Sequence, residues 1–174
     1  MVIRNLRSGL TLIELILSIG LVLILAAVAL WAINPIERQK QARDRRREED
    51  FATLRQAIEA EGAKEDFSKS STFGIPSGTA GVGASFSSDG SGWVKMNLFG
   101  FSELPRDPRN GESFPDMLGS KILGEYMFIS DGKYYILRTH LEAEKNRSKY
   151  ATDGNDNSWY EVGTAPGMST YFGL

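Results

Sequence analysis

The stretch Arg7-Ser-Gly-Leu-Thr-Leu-Ile-Glu-Leu-Ile-Leu-Ser-Ile-Gly-Leu-Val-Leu-Ile-Leu-Ala-Ala-Val-Ala-Leu-Trp-Ala-Ile-Asn-Pro-Ile-Glu37 decides how the rest of the chain is read. From Leu15 to Ile36 it carries 22 residues without a formal charge, dominated by Leu, Ile, Val and Ala. As a helix at about 1.5 Å per residue, that run covers about 33 Å, enough to cross a hydrocarbon core of roughly 30 Å. A buried core helix would be shorter or would show a polar face. The stretch therefore predicts a membrane span. It also holds an anomaly, because Glu14 places a carboxylate at the mouth of the apolar run, where an acid is costly.

The rest of the composition narrows the field by exclusion. The chain has 174 residues, which suits one domain plus an appendage. Its net charge of −2 gives no case for nucleic-acid binding, so nucleic acid is not expected as a partner. It has no cysteine, hence no disulfide and no thiolate metal site. His140 is the single histidine, which leaves a serine triad without a recognisable base and zinc without a ligand set. No enzymatic activity is expected.

Three readings of the N-terminus compete. A secretory signal peptide has its basic start in Arg4 and Arg7 and a small-x-small site at Ala27-Val28-Ala29, giving a mature chain from Leu30. The apolar run continues past that site, however, and Glu14 falls inside the hydrophobic region. An ordinary single-pass anchor carrying a binding domain meets a charge bias. Arg38, Lys40, Arg43, Arg45, Arg46 and Arg47 follow the run, so a positive-inside count places the C-terminal part in the cytoplasm. The third reading uses every residue of the opening. Gly9, Leu10, Thr11, Leu12 and Glu14, followed at once by the apolar run, resemble the cleavage region of type IV prepilins and of the pseudopilins of type II secretion systems. Leu10 stands where phenylalanine is more usual, and Trp31 stands near the place of a common helix-kinking proline, the nearest here being Pro35.

That resemblance implies a leader, Met1 to Gly9, removed by a prepilin peptidase between Gly9 and Leu10, with methylation of the new N-terminus. It implies that Leu10 and Glu14 serve assembly, the new ammonium group of Leu10 lying four residues before the Glu14 carboxylate and within reach of a neighbouring subunit's Glu14. The implied partners are copies of the chain, other pilin-like subunits, the peptidase, an inner-membrane assembly platform and, before assembly, membrane lipid. The implied location is a single-pass inner-membrane protein with its head outside the cytoplasm, then an extracellular or periplasmic filament. A pilus subunit is the leading expectation and a pseudopilin of a type II secretion pseudopilus the alternative.

Beyond the span, residues 36–62 read as helix, with Phe51, Leu54 and Ile58 on one apolar stripe and Gly62 as a stop. Pro35 either kinks a continuous helix or begins a new one. The expected organisation is a leader at 1–9, a long helix at 10–61 with its transmembrane segment about 12–33, and a head at 62–174. The charged block Arg43-Asp-Arg-Arg-Arg-Glu48 is assigned first to solvated helix surface, with salt bridges between filament subunits as the next reading and a lipid or nucleic-acid contact after it. A Gly/Ser-rich loop follows at 74–92, and Trp93–Leu98 is a candidate edge strand. Residues 104–110, Leu-Pro-Arg-Asp-Pro-Arg-Asn, resemble a segment of major pseudopilins and related pilins that leads into the sheet.

Glu125–Glu142 is two β-rich runs joined at Ser130-Asp131-Gly132, a hairpin turn. Alternation sends Tyr135, Leu137, Thr139 and Leu141 to the core and Tyr134, Ile136, Arg138 and His140 to the opposite face. A strand at Trp159–Val162 completes a sheet over about 125–163. The fold class is α+β, a long N-terminal helix whose second half packs on a small antiparallel sheet. Asp153, Asn155, Asp156 and Asn157 form a cluster of hard oxygen donors suited to calcium, without the glycine and closing glutamate of an EF-hand. Major pseudopilins carry a calcium site in a comparable loop, so calcium is the one cofactor the resemblance suggests.

Overall fold

The computed structural model describes residues 9–63, 78–79, 85–154 and 156–174. Most of the leader (1–8), much of the Gly/Ser-rich loop and Asn155 lie outside the described residues. The chain divides into two compact units, Met1–Gln39 and Lys40–Leu174. The fold is α+β, with helix from Leu12 to Gly62 followed by a small antiparallel sheet.

The first unit is built on helix α1, Leu12–Ile33. Thr11 caps its start, its Oγ1 accepting a hydrogen bond from the Glu14 N–H at 3.3 Å. Large apolar side chains stand exposed along the helix, among them Leu12, Ile16, Leu21, Leu25 and Trp31. This is one helix long and apolar enough to cross a membrane, near the N-terminus, and none of its apolar window is buried within the protein. Helix α1 ends at Asn34, which takes the left-handed conformation at φ 43°. Helix α2, Pro35–Gly62, begins immediately afterwards. Asn34 serves both ends: its backbone closes α1, and its Oδ1 accepts from the Glu37 N–H at 3.3 Å. Of the two roles open to Pro35, it takes that of first residue of a new helix, where its missing N–H costs nothing.

In the second unit, residues 40–62 of α2 lie against the sheet. Phe51, Leu54 and Ile58 are fully buried, as their spacing requires, and pack with Tyr126, Phe128, Tyr135 and Leu137. Each such burial stabilises the head by about 2 kcal/mol. Phe51 meets the Tyr126 ring edge-on at 5.0 Å and stacks on Tyr160 at 6.0 Å. The sheet comprises β1 (Gly78–Thr79), β4 (Met127–Ser130), β5 (Tyr135–Thr139) and β6 (Tyr160–Gly163), in that spatial order and antiparallel throughout. The β4–β5 hairpin turns where Asp131 Oδ1 accepts from the Lys133 and Tyr134 N–H groups and Gly132 adopts φ 93°. A separate hairpin pairs β2 (Ser113–Pro115) with β3 (Lys121–Leu123).

Three expectations are corrected. Trp93–Leu98 is not an edge strand; it forms irregular chain whose Trp93, Val94, Met96 and Leu98 fill the core, and the edge position belongs to β1 from the Gly/Ser-rich loop. Strand β5 has no solvated face. Ile129 and Ile136 are covered by Ala165 and Phe172 of the C-terminal segment, and Arg138 and His140 are buried as well. A sheet covered on both faces reads as continuously apolar or internally paired, so alternation does not find an outside here. The block at 43–48 is not simply solvated surface: Asp44 and Arg47 are wholly buried, while Arg45 and Arg46 are exposed.

Candidate functional site

The N-terminal site is assembled by local rules. Thr11 and Glu14 have the N-cap and third-position spacing that satisfies the first free N–H groups of a helix. An acid in the first turn also gains about 0.3–1 kcal/mol from the helix dipole. Gly9 and Leu10 precede the helix, both exposed. A Cβ at Gly9 would meet nothing within 4 Å, and its φ lies outside the left-handed region. Among the described residues nothing requires a glycine there.

A second site is electrostatic, and sequence reading missed it. Arg47 donates from Nε and Nη2 to the two oxygens of Asp107, at 2.7 and 3.0 Å, and from Nη1 to Asp44 Oδ1 and Glu142 Oε1, at 2.9 and 2.8 Å. Arg43 forks onto Glu142 at 2.9 and 2.6 Å. The Asp44 carboxylate accepts from the Glu142 and Ala143 N–H groups and from Asn146 Nδ2. Burial works against the Glu142 charge, but the hydrogen bonds from Arg43 and Arg47 outweigh it and hold the carboxyl down to about 2. Asp107 comes from the Leu-Pro-Arg-Asp-Pro run, so that segment fastens α2 to the head. The available signal was an i, i+3 acid–base pair, Asp44 and Arg47, which continues the spacing of the apolar stripe on the same helix face toward the N-terminus.

The third site is the loop before β6. Asp153 Oδ2 accepts from the Glu161 N–H at 3.0 Å, and Asp156 Oδ1 accepts from the Ser158 N–H at 2.9 Å. Two buried carboxylate oxygens, Asp153 Oδ1 and Glu161 Oε2, have no hydrogen-bond partner among the described residues. Burial pushes Asp153 up to about 6 and Glu161 up to about 7. Glu161 Oε1 accepts from Ser169 Oγ, which in turn accepts from Arg138 Nη1 at 3.1 Å. Among the described residues no three His, Cys, Asp or Glu side chains converge as a metal cluster. The two orphaned oxygens are hard donors of the kind calcium takes, and the rest of a coordination shell would have to come from backbone carbonyls. Of the four donors read from the sequence, Asp153 and Asp156 lie in this loop with Glu161, Asn157 makes no hydrogen bond among the described residues, and Asn155 is not described.

His140 is structural. Its Nδ1–H donates to the Ser158 carbonyl at 3.0 Å, its ring lies 3.7 Å from that of Trp159, and burial lowers it to about 4. Compared with known proteins, the chain matches no family model, no curated protein and no solved structure.

Proposed function

We propose that this chain is the structural subunit of a type IV pilus-like filament, anchored in the membrane by α1, cut after Gly9 and polymerised through its N-terminal helix. The observation that carries the reading is an acid, Glu14, in the first capped turn of an apolar helix that the rest of the chain leaves unburied, with Gly9 and Leu10 exposed just ahead of it. Gly9 stands where the resemblance puts the cut made by a prepilin peptidase. A carboxylate at the centre of a membrane helix costs about 2.5–3.5 kcal/mol on insertion scales, less toward the edge. The helix dipole offsets up to about 1 kcal/mol of that. A cation supplies the remainder, and cleavage creates one at Leu10. Paired with the Glu14 of a neighbour, it lets the exposed faces of α1 leave lipid and bundle.

A pseudopilin of a type II secretion system is the second reading, favoured by the orphaned oxygens of Asp153 and Glu161, where calcium would secure the loop before β6. Mass spectrometry of the mature N-terminus tests the processing step. A methylated Leu10 supports it. A start at Leu30 indicates secretion of a soluble domain, and retention of Met1 indicates a plain membrane-anchored binding domain; either result removes the reading. Glu14→Ala is expected to be cleaved normally and to yield few filaments.

A further inference from the structure

Arg138 and Glu161 stand directly opposite each other, as cross-strand partners of β5 and β6. Side chains paired in this way share one face of the sheet, with Cβ atoms about 5 Å apart, a spacing at which opposite charges meet. Arg138 is 8% exposed and Glu161 1%. Yet no ion pair joins them. A hydroxyl stands between: Arg138 Nη1 donates to Ser169 Oγ at 3.1 Å, and Ser169 Oγ donates to Glu161 Oε1. Ser169 arrives from the C-terminal 3₁₀ helix, Met168–Phe172, and is wholly buried.

Keeping the two charges apart leaves both short of partners. Among the described residues Arg138 Nε has no acceptor and Glu161 Oε2 has no donor. Buried charges of opposite sign within reach close on each other unless something prevents it, because an unpaired charge out of water is costly. The guanidinium rests on the Trp159 ring, 3.9 Å from its centre, and Asp156 and Glu125 act on it only at a distance. Glu161 Oε2 is turned to the loop before β6. A Cβ at Gly154 would overlap that oxygen, so glycine is what lets the carboxylate reach the turn. There the Glu161 N–H is bonded to Asp153 Oδ2, and Asp153 Oδ1 is the other orphaned oxygen. One oxygen of Glu161 is thus linked to an arginine through a hydroxyl, and the second lies beside another acid.

We propose that Ser169 is a spacer: it keeps Arg138 from closing on Glu161 and so reserves Glu161 Oε2, with Asp153 Oδ1, for a divalent cation. The proposal rests on the calcium reading of this loop and assigns the residue that keeps the site open. A guanidinium forked onto Glu161 would occupy the oxygen the metal needs, since two cations then compete for one carboxylate. The Ser169 hydrogen bond also fixes the rotation of that carboxylate, the usual task of a group behind a metal ligand.

The test is calcium titration of the full chain in detergent micelles by calorimetry, together with melting of the head in chelator. Ser169→Ala is expected to bind calcium about tenfold more weakly or worse. In chelator it is expected to melt no lower than the unaltered chain, because Arg138 now pairs with Glu161. Adding Arg138→Met to Ser169→Ala is expected to restore calcium affinity, no guanidinium being left to compete. Lower melting in chelator with no recovery in the double variant reduces Ser169 to an ordinary hydrogen bond and overturns the spacer. Should Ser169→Ala alone fail to fold, the comparison is made with Arg138→Met in both chains. Equal calcium affinity with and without Ser169 supports the spacer there, and a tenfold difference overturns it. Ser169→Ala that binds calcium as the unaltered chain does overturns the spacer alone. An unaltered chain that binds no calcium overturns the calcium reading and the spacer with it.

Discussion

Arg47 is the residue whose replacement most sharply tests this account of the head. Its guanidinium is wholly buried and makes four hydrogen bonds to three carboxylates, those of Asp44, Asp107 and Glu142. Arg47→Met keeps most of the apolar stem and removes the cation. Asp44 retains two backbone N–H donors and Asn146, and Glu142 retains Arg43 and Arg109. Asp107 keeps the Arg109 N–H at 2.7 Å but loses its bidentate partner. Breaking a buried pair by removing one member costs about 3–5 kcal/mol, because the remaining charge stays out of water. For a unit the size of Lys40–Leu174, that corresponds to a melting point lower by about 10–20 °C. Arg43→Met provides the contrast. The Arg43 side chain is 28% exposed and shares its partner with two other arginines, so its loss is expected to cost about 1 kcal/mol. The assay is thermal unfolding of the full chain in detergent micelles at neutral pH, followed by near-ultraviolet circular dichroism. If Arg47→Met melts within about 3 °C of the unaltered chain, the network is not what joins α2 to the head.

Other outcomes follow from the same geometry. His140 is lowered from 6.5 to about 4, so its contribution is present above pH 6.5 and is lost as pH falls to about 4, a change of about 3 kcal/mol. The Glu142 contribution is present above 4.5 and is lost as pH falls toward 2. Over the range from about pH 7 to 4 the raised carboxyls of Glu161 and Asp153 act in the opposite sense, gaining stability as they protonate, so the His140 limb is read as the difference between the unaltered chain and His140→Phe, which should leave the Glu142 limb in place. Millimolar calcium should raise the melting point of the unaltered head, by about 2.7 kcal/mol in stability at a hundredfold excess over the dissociation constant. Asp153→Ala or Glu161→Gln should abolish that rise, and an unaltered head indifferent to calcium would remove the metal from the loop. At Gly163 a Cβ would strike the Tyr135 carbonyl oxygen and lie 2.8 Å from Ile136 Cα. Gly163→Ala should cost about 1–3 kcal/mol and speed amide exchange in β6 ahead of β4.

What the amino-acid order alone determined was local in origin. The apolar run of α1 is set by composition, the Phe51–Leu54–Ile58 stripe by the helical period, and the β4–β5 hairpin by the turn chemistry of Asp131-Gly132. Each is encoded within a few residues, where backbone geometry relates neighbours directly. The Thr11 cap at the start of α1 was legible for the same reason. The tertiary structure alone decided which charges are buried. Arg47 looks like its exposed neighbours Arg45 and Arg46, and it differs because Asp107 and Glu142 reach it from 60 and 95 residues away. It likewise decided that both faces of β5 are covered, that Trp93–Leu98 fills the core, and that Glu161 faces Asp153 across a loop. A buried charge is tolerable where distant partners converge on it, and such convergence depends on the folded path of the chain rather than on any short stretch of it.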